Sequence, residues 1–96
     1  MKIPKTLKIC GHTYKVEMRK EPLVDNELVF GCCYQRKQLI VLQEDMSEDR
    51  AREVILHECI HAIDDELRLG MGENVVNLLG IMLKDLIVNN KLDLLS

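Results

Sequence analysis

Up to Gln43 the apolar and polar positions of this chain follow the two-residue period of strands. Beyond it the apolar positions recur at the three-to-four-residue spacing of helices. From His12 to Arg19, Tyr14, Val16 and Met18 share one face, and Lys15, Glu17 and Arg19 share the other. Thr6 to Cys10 is a shorter run, ended by Gly11. Pro22 and the polar run Asp25-Asn26-Glu27 mark a loop. Leu28 to Tyr34 and Gln38 to Gln43 are β-rich, and Gln35-Arg36-Lys37 fits the turn of a hairpin joining them.

Ser47 stands where a helix N-cap is needed. Glu48 and Asp49 follow in the first turn, where carboxylates complement the helix dipole. The pattern predicts a long helix from about Glu48 to Arg68, stopped at Leu69-Gly70-Met71-Gly72, with Gly70 suited to a left-handed cap. A second helix is predicted from Glu73 to about Asn90. The tail, Lys91 to Ser96, brings Leu92, Leu94 and Leu95, which are expected to pack. Projected at about 100° per residue from His57, the apolar positions Ile55, Leu56, Cys59, Ile60, Ala62, Ile63 and Leu67 fall between about 140° and 300°. His57, His61 and Asp64 lie almost opposite, on a polar strip. Glu66 is the misfit inside the apolar arc, and is expected to reach solvent from the helix end.

This order predicts an α+β domain over residues 1–96. A small antiparallel-rich sheet of three or four strands precedes a long helix and a second, C-terminal helix. Ninety-six residues allow one small core. With no Trp, one Phe and two Tyr, that core is aliphatic. Apolar residues at 47% and charged residues at 30% fit a globular chain. A net charge of −3 argues against nucleic acid as a partner, and the basic clusters at Lys15 to Lys20 and Arg36-Lys37 read as solvated strand edges. The start of the chain lacks the apolar run of a signal peptide. The most apolar segment, Val75 to Val88, is broken by Asn77, Lys84 and Asp85, so neither export nor a membrane is expected, and the chain reads as cytoplasmic. Cys10, Cys32, Cys33 and Cys59 form no C-x-x-C and read as reduced, small apolar residues. A bridge from Cys10 to Cys32 or Cys33 is the lesser alternative.

The long helix carries the chemistry. His57-Glu58-Cys59-Ile60-His61 is H-E-x-x-H, which places two imidazoles one turn apart, so that both can hold one metal ion. Glu58 lies about 100° around the helix from His57, where it can act as a base on a metal-bound water. The bland alternative is a helix with two surface histidines. A catalytic zinc takes three protein ligands and keeps one position open. Glu73, at the head of the next helix, is the first choice for the third ligand. It also reads as an ordinary helix N-terminal carboxylate. Asp64, on the same strip, can orient a histidine, ligate directly, or simply face solvent. Asn77, one turn after Glu73, can orient that carboxylate or be an ordinary polar position. His12 reads as a turn histidine. Tyr14, Tyr34 and Arg36 are the candidate oxyanion donors, and the spacing selects none of them.

The stretches REVILHECIHAIDDELRLG and MGENVVNLLG, following a small sheet, resemble the short zincin-type metallopeptidases of phages and prophages, relatives of the gluzincins and of the ImmA/IrrE-like peptidases. The resemblance covers roughly Leu28 to Leu83. It implies a minimal zincin-like fold, zinc as the cofactor, His57, His61 and Glu73 as its ligands, Glu58 as the base, and Asp64 in the place of the Asp that often follows this motif. It also implies a protein or peptide substrate, for which a phage or host regulator is one candidate, and a cytoplasmic setting in a bacterial host. The step from His61 to Glu73 is short for larger gluzincins, and neither Tyr nor His follows the motif. A second class of reading is a zinc-stabilised interaction module with little proteolysis. The second helix is apolar on more than one side, which suggests a homodimer through it.

Overall fold

A computed structural model describes residues 3–91. The expected packing of Leu92, Leu94 and Leu95 lies outside the described residues. Six strands come first: β1 (Thr6–Ile9), β2 (His12–Arg19), β3 (Leu23–Val24), β4 (Glu27–Leu28), β5 (Gly31–Tyr34) and β6 (Leu39–Gln43). Two helices follow, α1 (Glu48–Leu67) and α2 (Glu73–Asn89). The architecture is α+β, with a mixed four-stranded sheet in the order β1-β2-β6-β5 and a separate hairpin of β3 and β4.

The β1–β2 and β5–β6 pairs are antiparallel, as their short turns allow. The β2–β6 pair is parallel, with Lys15 opposite Leu39 and Arg19 opposite Gln43. The segment between them supplies the crossover that a parallel pair needs. Part of it folds into the β3–β4 hairpin, whose turn residues Asp25 and Asn26 both adopt positive φ. The run from Leu28 to Tyr34 is therefore not one strand: Val29 and Phe30 separate β4 from β5.

Ser47 caps α1, its Oγ accepting the Arg50 N–H at 3.1 Å. At the other end the left-handed residue that stops the helix is Arg68 (φ 53°, ψ 47°), and its N–H bonds back to the Asp64 carbonyl. Gly70 also has positive φ, but two residues later, in the connection.

The helix α1 packs on β5 and also touches β6 and β1, while α2 packs on α1. Tyr14, Ile40 and Leu42 from the sheet meet Val54, Ile55 and Ala62 of α1 in an aliphatic core. Gly31 lets the helix come this close: a Cβ there would stand 2.7 Å from Val54 Cγ1 and 3.1 Å from the Val41 carbonyl oxygen. On α2, Gly80 faces the backbone of His57, where an ideal Cβ would lie at ordinary contact distance, 3.4 Å from the His57 Cα.

The buried face of α1 is rotated from the one projected above. Ala51, Val54, Ile55, Glu58 and Ala62 are buried around the direction of Glu58 itself, and Ile60 is buried apart from them, inside the projected arc. Ile63 and Leu67, which the projection places inside, are exposed. Glu66 is also resolved. It does not simply reach solvent, since its Oε1 accepts the hydroxyl hydrogen of the fully buried Tyr14 at 2.6 Å. A carboxylate in the apolar arc is what this phenol requires, because a buried hydroxyl without a partner is costly.

Candidate metal centre

Two elements build the centre. One turn of α1 projects His57 and His61 from the helix side next to α2, and their rings stand edge to face with centroids 4.8 Å apart. The connection from Arg68 to Gly72 then reverses the chain and delivers Glu73 at the first position of α2. Asp64 holds that connection: its Oδ1 accepts the Met71 N–H at 3.0 Å, and its carbonyl accepts from Leu69. The Glu73 carboxylate then straddles the pair. Its Oε1 is 2.8 Å from His57 Nε2, and its Oε2 is 2.9 Å from His61 Nε2.

Among the described residues His57, His61 and Glu73 form the one group of metal-ligating side chains dense enough to hold an ion, with ligand atoms within 4.8 Å of one another. Each histidine is partly buried, while Glu73 is 68% exposed, so the group is open to solvent on the carboxylate side. Two imidazole nitrogens and one carboxylate fit a three-ligand zinc site with a free position, and other divalent transition metals accept the same donors.

Glu58 is the one buried charged side chain among the described residues, at 5% exposure. It borders the cleft together with His57 and the β5 residues Gly31 and Cys33. Burial, and then the negative charge of Glu73, push its pKa up to about 7.

The other sequence candidates divide clearly. Asn77 is exposed and lines a cavity with His57, Glu58 and Arg50. Asp64 lies outside the ligand group and serves the inter-helix connection. His12 sits 3.5 Å from Glu66, on the sheet side, also outside the group. Tyr14 is excluded as a cleft donor, since its hydroxyl is buried and given to Glu66. Tyr34 lies under the Lys37 ammonium, 5.7 Å from ring centroid to Nζ, and neither it nor Arg36 is among the residues lining the cleft. The four cysteines are free thiols. The sequence pattern suggests that the hairpin before α1 offers an edge strand at the cleft; the structure shows that the bordering strand is β5, with Gly31 and Cys33 in the lining, because α1 packs across it.

Comparison with known proteins adds no family: no family model matches the chain, and no curated protein or solved structure matches it significantly. Among the described residues no helix is long and apolar enough to cross a membrane.

Proposed function

We propose that this chain is a zinc-dependent metallopeptidase that hydrolyses a peptide bond in a protein substrate. The observation that carries the reading is the joint placement of His57, His61 and Glu73 around one point, with Glu58 buried at its side in the same cleft. The two Nε2 atoms and the Glu73 carboxylate would hold the ion, which when bound would supply an acidified water and a polarised carbonyl. Glu58 takes a proton from the attacking water and hands it to the leaving amine. In the metal-free chain burial pushes the Glu58 carboxyl up to about 7, and a cation bound nearby would draw it back toward the carboxylate form that a base requires.

Among the described residues β5 is an edge strand, paired with β6 on one side, and its other side offers backbone N–H and C=O groups beside the cleft. An extended peptide can add to that edge as a further strand and bring its scissile bond past Glu58. Asn77 is assigned to orienting the Glu73 carboxylate one turn before it, and Asp64 to holding the turn. The resemblance to phage and prophage peptidases points to a phage or host regulator as the substrate, within the cytoplasm of a bacterial host.

The test has two parts. Purified chain should retain about one zinc per molecule, and Glu58→Gln should keep the zinc while ending cleavage. Metal-free protein recovered from zinc-containing buffer would overturn the proposal. A second reading, a zinc-stabilised interaction module, has one observation in its favour: α2 exposes much of its apolar surface. If biological effect survives Glu58→Gln, that reading replaces the first.

A further inference from the structure

Helix α2 is held to its own chain by a narrow contact. Of its 17 residues only Val76 and Gly80 are buried, both on the side against α1. The opposite side exposes Val75, Leu78, Leu79, Met82 and Leu86 to between 40% and 60%. At about 100° per residue these five fall within a strip about 100° wide, and no charged side chain enters it. Val75, Leu79, Met82 and Leu86 follow a 4-3-4 spacing, the seam along which two helices interlock.

We infer that this stripe is the interface of a twofold homodimer, in which α2 of one chain packs on α2 of a second copy. The exposed parts of the five side chains come to on the order of 500 Å² per chain, and two copies bury on the order of 1,000 Å², the level at which specific interfaces begin. A helix stripe is self-complementary under a twofold axis, so the same residues serve both sides. A lipid surface fits less well. The stripe is bordered by Asn74 and Asp85 where anionic lipid would call for lysine or arginine, and Lys84 is committed to Asp49 at 2.6 Å. The helix that forms the interface also carries Glu73, so the contact steadies the carboxylate beside the two histidines. The dimer does not depend on the metallopeptidase reading, and the experiment is run in chelator to keep the two apart.

Light scattering on the full chain after size exclusion should give twice the chain mass of 11.1 kDa. Met82→Glu combined with Leu86→Glu should give the mass of one chain. Leu28→Glu, equally exposed but off the helix, should leave the dimer intact. A wild-type protein at single-chain mass near 100 μM, or a dimer that persists in the double variant, overturns the proposal. Should the double variant lose its helical circular dichroism, hydrogen exchange on wild type decides. Slowed exchange of α2 amides at concentrations where the mass doubles supports the interface, and slowing confined to another element overturns it.

Discussion

Gly80 lies against the backbone of His57, with room for an ideal Cβ only at 3.4 Å from the histidine Cα. The two helices are therefore in contact at the first histidine of the candidate centre. Gly80→Ala fills that space at ordinary contact distance and removes a helix-interior glycine, so the protein should gain up to about 1 kcal/mol. Gly80→Leu should force α2 away, carrying Glu73 from the histidines. Thermal melts and zinc titration of both variants check the pair. Unchanged zinc affinity in Gly80→Leu would count against the helix spacing as a determinant of the site.

Glu73 and Glu66 test separate functions of two carboxylates. Glu73→Ala removes the group that bridges His57 and His61, and zinc affinity should fall by about 100-fold or more. Glu66→Ala leaves the Tyr14 hydroxyl buried without a partner, at a cost of about 1–3 kcal/mol, while zinc affinity should hold. Competition with a chromophoric chelator and urea unfolding give the two readouts. The same loss of zinc in both variants would remove Glu73 from the ligand set.

Glu58 makes the metal-free protein sensitive to pH. Its carboxyl keeps a proton up to about pH 7 in the folded chain, against an ordinary value of 4.5. Between those values the folded state binds more protons than the unfolded one, so the stability that Glu58 contributes is complete below the lower value and is lost as pH rises through the upper one. The loss amounts to about 3 kcal/mol at most. Glu58→Gln stays uncharged throughout. In chelator, its stability advantage over wild type should grow from pH 5 to pH 8, as read by urea unfolding. A constant difference across that range would contradict the buried placement. With zinc restored, the variant should lose about 100-fold or more of any hydrolytic activity.

The thiols should react in an order set by burial. Burial first, and then the charge of Glu58, push Cys33 up to about 12 and Cys59 up to about 11, whereas Cys10 is exposed. Alkylation depends on the thiolate and on access. At pH 8 Cys10 should be modified about tenfold faster than Cys33 or Cys59 in timed mass spectrometry. Equal rates at all three sites would indicate an open core.

Local pattern carried much of the fold. Ser47 as the cap, the length of α1, the start of α2 at Glu73 and the hairpin turn after Tyr34 all depend on residues within a few positions of one another. The exchanges that went otherwise depend on partners far along the chain. Leu28 left the main sheet because it pairs with Leu23. The apolar arc of α1 turned toward Glu58 because the sheet covers that side, leaving Ile63 and Leu67 outside.

The candidate site divides in the same way. The sequence by itself determined that two imidazoles emerge one turn apart with a carboxylate between them, since helical pitch fixes that spacing wherever the helix sits. Only the tertiary structure decided which second carboxylate joins them, how deeply Glu58 is buried and what Glu66 is for. Those depend on the approach of α2 at Gly80, the crossing of α1 over β5 at Gly31, and the reach of Tyr14 across 52 positions of chain. Packing between distant segments sets them, and no local periodicity encodes it.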